Sequence, residues 1–172
     1  MTAHSTRREQ DVQKLRALSS SSNGKIKINK VTGSPPNSIE LELVYPTAGD
    51  RNYPNSVQKI TNVIIELGSR YPFAEPKVVI KTPILHPNVY ASGQVCLGAK
   101  WLPSQGLDLL VKRLISIVTY DESILNEKSP ANRDALKWYS TALRSHPHAF
   151  PTTKMSPVSS VKPSGITWTN TK

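Results

Sequence analysis

The chain has 172 residues, one cysteine and a net charge of +10, and its hydrophobic content of 37% is somewhat low for a compact domain. The excess charge lies mostly at the ends, with +5 in residues 1–30, +2 in 31–150 and +3 in 151–172. This distribution argues against the basic groove of a dedicated nucleic-acid-binding protein. No apolar run approaches a membrane span, and four histidines with one cysteine form no spaced zinc-ligand set.

A single cysteine cannot form an internal disulfide, which predicts a reducing, intracellular setting. The first ten residues, MTAHSTRREQ, lack the apolar core of a signal peptide. We therefore expect a cytoplasmic protein, or a nuclear one if the source is a eukaryote.

The first predicted element is a short amphipathic helix over residues 6–18. Thr6 and Glu9 have the spacing of a capping box at its start. Its apolar side carries Val12, Leu15 and Leu18. Its basic residues are Arg7, Arg8, Lys14 and Arg16. Such a basic face fits docking on an acidic partner, and a face that is only solvated is the alternative.

Four strands follow, each with apolar residues at alternate positions. In the second strand, Ile39, Leu41 and Leu43 alternate with glutamates, as expected where one sheet face is solvated. Consecutive strands of this kind predict an antiparallel meander. The predicted ranges are 25–31, 39–43, 59–67 and 77–81.

A long loop at 82–104 precedes two predicted helices. The first, about 105–120, has apolar residues at helical spacing throughout and is predicted to be the central buried helix. The second is predicted to run from an N-cap at Ser129, before Pro130, to about Ser145.

One domain is therefore predicted at residues 6–148, an α+β arrangement of helix, meander, loop and two helices. Residues 1–5 are expected to form a flexible N-terminus. Residues 149–172 are expected to form a disordered, basic tail rich in Ser, Thr and Pro, in which Trp168 is unusual.

The loop TPILHPNVYASGQVCLGAKWLPS holds the residues best suited to chemistry. Taken singly they are unremarkable, because a lone cysteine such as Cys96 is most often a small buried hydrophobe. Together with YPFAEP at 71–76, they form an ordered set: His86-Pro87-Asn88, Cys96-Leu97 and a Trp-x-Pro that begins at Trp101. This set resembles the ubiquitin-conjugating enzymes, whose pattern is YPF-x-x-P, HPN, N-x-x-G-x-(I/V)-CL and W-x-P. The resemblance covers roughly residues 6–146.

The resemblance implies the ubiquitin-conjugating-enzyme fold and its chemistry. The expected protein is a transferase that accepts ubiquitin or a ubiquitin-like protein as a thioester on Cys96 from an activating enzyme. It would pass this modifier to a lysine or another amine of a protein substrate, with or without a ligase. No cofactor is expected on this chain, since ATP is used by the activating enzyme.

Four residues are the catalytic candidates. A thiolate at Cys96 would be the nucleophile, and transthiolation needs no strong adjacent base. The resemblance implies that His86 holds the loop by backbone hydrogen bonds. Asn88 would donate to the developing oxyanion or brace the loop. Ser129 would weakly orient the incoming amine, gain charge by phosphorylation, or only cap its helix.

Two surfaces are the partner candidates. Phe73, Pro103 and Ser104 match the loops on which the family binds ligases, although the alternative for Phe73 is packing beneath its own turn. The basic residues of the first helix, Arg7, Arg8, Lys14 and Arg16, match the face that the family presents to the activating enzyme. Tyr120 and Asp121 would help line the acceptor side.

The sequence departs from the family at three points: a short LGAK segment before Trp101, Gly98 where many members have aspartate, and an early end to the helical region. Two other functions are alternatives with less support from the sequence. A catalytically silent modifier-binding variant would characteristically lack the cysteine. A basic RNA-binding module would show aromatic and basic residues interleaved on a strand, which this chain lacks.

Overall fold

The computed structural model describes residues 3–153 of the chain, and the side chains of residues 6–153. No helix within these residues is long and apolar enough to cross a membrane. Short 3-10 helices at Glu122–Ile124 and Pro147–Ala149 accompany the main elements. In chain order those are α1 (Ala3–Ser20), β1 (Ile26–Thr32), β2 (Ser38–Leu43), β3 (Thr61–Glu66), β4 (Lys77–Ile80), α2 (Leu107–Val118) and α3 (Arg133–Ser145).

The four strands form one antiparallel sheet in sequence order, which confirms the predicted meander. Ile39 pairs with Ile65 and Leu41 with Val63, and all four side chains are buried. Glu40, on the opposite face of β2, is exposed. The period-two pattern therefore fixes which face of the sheet is buried against the helices.

Two helices complete the main core with the sheet. Val12 and Leu15 of α1 belong to the same buried cluster as Leu114 and Ile117 of α2, which are both fully buried. The central position predicted for α2 is thus confirmed.

A second, aromatic cluster lies beneath α3. Tyr120 stacks on Tyr139 with ring centroids 5.5 Å apart, and Phe150 meets both rings edge-on. The backbone N–H of Thr152 donates to the Thr119 carbonyl at 2.9 Å. The packed part of the chain therefore extends past residue 148, where the sequence predicted the domain to end. Residues 1–2 and the tail from 154, with Trp168, lie outside the described residues.

Two predicted helix starts were wrong. Helix α1 begins at Ala3, so Thr6 lies within the helix and not at its start. Helix α3 begins at Arg133, and its N-cap is Asn132, whose Oδ1 accepts a hydrogen bond from the Ala135 N–H at 3.0 Å. Ser129 instead donates its backbone N–H to the Asn126 side chain. Either residue type can cap a helix, and only the loop path selects between them.

Polar side chains fasten α1 to the rest of the molecule. Arg8 is buried and donates to the carbonyls of Pro36 and Gly68, at 3.0 and 2.6 Å. The sequence placed Arg8 on the basic face of α1, but these two carbonyls hold its guanidinium against the domain and withdraw it from the exposed part of that face.

A second tether centres on the buried Asp11. Its carboxylate accepts hydrogen bonds from the Tyr71 hydroxyl and from Arg7 Nε, the latter at 2.6 Å. Arg7 also donates to the Gln105 carbonyl at 2.6 Å, so it too is engaged within the domain and not freely solvated. Lys14 and Arg16 are exposed. The tether joins α1 to the YPF turn and to the segment before α2.

Tyr71→Phe should lower the free energy of unfolding by about 1–3 kcal/mol, because the buried Asp11 carboxylate loses one hydrogen-bond donor. Urea denaturation measures the change. Tyr90→Phe is the matched control, since Tyr90 is 46% exposed and should be neutral. Equal stability of the two variants would contradict a structural role for the Tyr71 hydroxyl.

Candidate active site

Gly93 allows the cysteine segment to close onto the sheet. Its carbonyl accepts the Ile80 N–H at 2.8 Å, and the Val95 N–H donates to the Val78 carbonyl at 2.9 Å. Gly93 has φ of +85°, and a Cβ there would lie 2.3 Å from the Ile80 carbonyl oxygen. The turn before the cysteine therefore requires glycine for both conformation and space.

Cys96 is a free, half-buried cysteine on this segment. Its backbone N–H donates to the Asn88 carbonyl at 2.8 Å, and Val89 pairs with Val95 just before it. The two valines are buried while the cysteine retains access to solvent. The thiol thus stands at the surface on a backbone fixed from both sides.

His86 is fully buried and holds the turn. Its Nδ1 accepts the Asn88 N–H at 2.9 Å, and its ring lies 4.5 Å from that of Tyr120. Burial lowers the pKa of His86 to about 3, because the protonated ring would lose its hydration. The imidazole is therefore neutral, and with so low a pKa it is too weak a base to take the proton of a thiol.

Both ends of the Asn88 side-chain amide are engaged. Its Nδ2 donates to the Ile124 carbonyl at 2.9 Å, and its Oδ1 accepts the Asn126 N–H at 3.1 Å. The side chain is fully buried. Of the two roles considered from the sequence, this geometry is that of a brace between the cysteine loop and the loop before α3.

Arg113 is a site residue that the sequence reasoning missed. From α2, its Nε donates to the Leu97 carbonyl at 2.5 Å. A Cβ at the adjacent Gly98, where φ is +67°, would lie 3.6 Å from Asn88 Nδ2 and 3.7 Å from Arg113 Nη2. The position of Arg113 in the sequence could have identified it. It follows Leu110 by three residues and precedes Ile117 by four, so its charged side chain lies at the edge of the apolar stripe of α2.

The three acceptor-side candidates, Ser129, Tyr120 and Asp121, have different surroundings in the structure. Ser129 is exposed on the loop before α3. Tyr120 is buried and donates to the Leu85 carbonyl, so it does not line a surface. Asp121 caps the following 3-10 helix by accepting the Ser123 N–H at 3.0 Å. Asn132 joins this region to the motif, because its backbone N–H donates to the Pro87 carbonyl at 3.1 Å.

The candidate ligase loops lie side by side. Trp101 Nε1 donates to the Pro72 carbonyl at 2.6 Å, which holds the YPF turn against the Trp-x-Pro loop. Phe73 is 65% exposed, so it does not pack under its own turn, and Pro103 and Ser104 are exposed as well. Within the described residues, no group of His, Cys, Asp or Glu is placed to hold a metal ion.

The model of the ubiquitin-conjugating enzyme family matches residues 7–150. The chain belongs to this family.

Relatives and a solved structure agree with this assignment. A ubiquitin-conjugating enzyme E2 of African swine fever virus is 27% identical over 121 residues, which cover 64% of this chain and 53% of the viral protein. Human ubiquitin-conjugating enzyme E2 T is 32% identical over 78 residues, or 45% of this chain and 38% of that protein. The structure of S. cerevisiae Ubc12 matches with a TM-score of 0.62 and 25% identity, covering 86% of this chain and 77% of that one. The chain spans about half or less of the length of these two relatives.

Asn132→Ala should lower the free energy of unfolding by about 1 kcal/mol, because α3 loses its N-cap. Ser129→Ala, the matched control, should change it by less than about 0.5 kcal/mol, since Ser129 caps nothing. Thermal or urea denaturation of the two variants measures both. The reverse ranking would restore Ser129 as the cap.

The neutral His86 should impose a pH dependence on stability. In the unfolded chain the imidazole takes up a proton below its ordinary pKa of 6.5, whereas the folded protein binds it only near pH 3. Stability from this group is therefore intact above pH 6.5 and falls as pH decreases towards 3, by at most about 1.4 kcal/mol per pH unit. Urea denaturation at a series of pH values should give a shallower slope of stability against pH for His86→Gln than for the wild-type chain. A slope that His86→Gln leaves unchanged would refute the buried, neutral state.

Proposed function

We propose that this chain accepts ubiquitin or a ubiquitin-like protein as a thioester on Cys96 and transfers it to an amine of a protein substrate. The observation that carries the proposal is the half-buried free thiol of Cys96, held on a fixed backbone within the HPN loop of a family member. The chemistry is acyl transfer in two displacements.

In the first displacement, the Cys96 thiolate attacks the thioester carbonyl carbon of the modifier carried by an activating enzyme. The new C–S bond forms as the enzyme's C–S bond breaks, and that enzyme's thiolate leaves. The exchange is nearly symmetrical, so it needs no strong base. This suits a loop whose histidine is buried and neutral. ATP is spent by the activating enzyme, and this chain needs no cofactor of its own.

In the second displacement, a neutral amine attacks the Cys96 thioester. Negative charge develops on the carbonyl oxygen, the C–S bond breaks, the Cys96 thiolate leaves and the amine proton passes to solvent. Asn88 contributes by holding the loop of Ile124 and Asn126 against the cysteine loop. We further assign its amide the role of donor to the oxyanion in the loaded chain.

We assign the partner-binding surfaces from the candidate residues that are exposed to solvent. On α1 we assign contact with the activating enzyme to Lys14 and Arg16, because Arg7 and Arg8 are already bound within the domain. Phe73 with Pro103 and Ser104 forms an exposed anchor for a ligase, since the two loops are held together through Trp101. We place the protein in a reducing compartment, the cytoplasm or nucleus, where a thiol remains reactive.

Incubation with candidate activating enzymes, ubiquitin or ubiquitin-like proteins and ATP should give a reductant-sensitive adduct of the full chain on a non-reducing gel. Cys96→Ser should remove this adduct or replace it with a stable ester, because an oxygen ester resists thiol exchange. A thioester that persists in Cys96→Ala would contradict the assignment, and so would the absence of any adduct across the modifier panel.

Asn88→Ala should lower the free energy of unfolding by about 1–3 kcal/mol, because the Asn126 N–H and the Ile124 carbonyl lose their partner. Loading should continue, whereas discharge to free lysine should slow at least about tenfold. Single-turnover assays of the two steps measure this split. If loading and discharge fell by the same factor, Asn88 would only brace the loop.

A further inference from the structure

A cleft of about 590 Å³ opens between the loop that precedes α3 and α3 itself. Its lining combines acidic, apolar and amide side chains with one lysine. These residues are Glu122, Leu125, Asn126, Glu127, Lys128, Tyr139 and Leu143. Apart from Asn126, whose backbone N–H bonds to Asn88, none of them has a role in the acyl transfer described above.

Tyr139 lines this cleft, and its buried hydroxyl has no hydrogen-bond partner in the described part of the chain. The residue is 1% exposed, so the hydroxyl is also withheld from bulk water. Burial raises the pKa of Tyr139 to about 12, and the carboxylates of Glu122 and Glu127 add to the shift. An unpartnered buried hydroxyl is costly, and a ligand donor that reached it would offset that cost.

The charge of the cleft favours a cation. Glu122 and Glu127 are exposed, and neither forms an ion pair among residues 6–153, where all the ion pairs involve other acids. Lys128 also lines the cleft, which leaves an excess of one negative charge. Leu125 and Leu143 provide apolar walls along which the methylene chain of a lysine or arginine can lie.

Two hydrogen bonds connect the cleft to the backbone of Cys96. Asn126 lines it and donates its backbone N–H to Asn88 Oδ1 at 3.1 Å. The Asn88 carbonyl accepts the Cys96 N–H at 2.8 Å. A side chain bound in the cleft would therefore sit one loop away from the thioester, on the side that carries Ser129.

We propose that this cleft binds a lysine or arginine side chain of the acceptor protein, next to the lysine that receives the modifier. The ammonium or guanidinium lies between Glu122 and Glu127 and donates to the Tyr139 hydroxyl oxygen. Acceptors of this enzyme are then basic segments. The recognition of a basic segment stands on the cleft alone, whereas its use in transfer rests on the proposed function.

The first test measures binding to the unloaded full chain, so it does not depend on transfer. A fluorescein-labelled peptide with one lysine flanked by arginines is compared, at physiological salt, with a peptide in which glutamines replace the arginines. Fluorescence anisotropy should show the arginine peptide binding about three- to tenfold more tightly, as expected for two exposed charge pairs.

Glu122→Gln combined with Glu127→Gln should abolish that preference. The matched control, Glu40→Gln with Glu66→Gln, removes two charges from the sheet and should retain it. Tyr139→Phe should weaken binding of the arginine peptide about two- to fivefold, the value of one hydrogen bond. Thermal denaturation confirms that each variant is folded.

The proposal is overturned if the wild-type chain binds both peptides equally, or if the preference survives the double glutamine change. An unaltered affinity in Tyr139→Phe would also overturn it, because the hydroxyl is one of the two features that define the site. The second test uses the loaded chain, in which discharge to the arginine peptide should lose its advantage in the double variant while discharge to free lysine is retained. Specific peptide binding without any Cys96 adduct would reject the proposed function and leave the cleft assignment standing.

Discussion

The Asn88 residue holds together the parts of the chain that surround the thiol. Its carbonyl accepts the Cys96 N–H, its amide bridges Ile124 and Asn126, and its own N–H is bound by His86. Because every one of these bonds is buried or half-buried, breaking any of them leaves a polar group without water or protein to satisfy it. The reactive cysteine can therefore lie in a long irregular loop and still have a fixed backbone.

The surrounding domain supports this arrangement without contributing reactive groups. The sheet receives the cysteine segment edge-on at Gly93, and Arg113 of α2 fixes the Leu97 carbonyl on the other side of the thiol. On the far side, Asp11 and Tyr71 tie α1 to the turn that carries Phe73. Positioning by backbone contacts is sufficient for thioester exchange, because a thiolate needs little further activation.

Hydrophobic periodicity and sequence motifs were sufficient to predict the buried face of the sheet, the central helix and the cysteine loop. Alternation in β2 and the apolar stripe of α2 determined the sheet face and the central helix, since burial forces these patterns. The candidate residues near Cys96 were selected from their ordered motif and its resemblance to the family, not from periodicity. Contacts between distant segments could not be predicted. Arg8 donates to the carbonyls of Pro36 and Gly68, which lie 28 and 60 residues away along the chain. Ser129 and Asn132 are equally good caps by residue type, and only the folded loop shows that Asn132 is the cap.

The bridge from Asn126 through Asn88 to Cys96 has a thermodynamic consequence. In the proposed mechanism, acylation of the Cys96 thiol and binding of a basic side chain in the cleft would both act through this one buried amide, so the two events would share a free energy of coupling. Coupling is reciprocal. If a bound basic side chain changes the equilibrium constant for acylation by some factor, acylation changes the affinity of the cleft for that side chain by the same factor. Where this factor exceeds one, the acylated chain would retain acceptors and the chain that has lost its acyl group would release them.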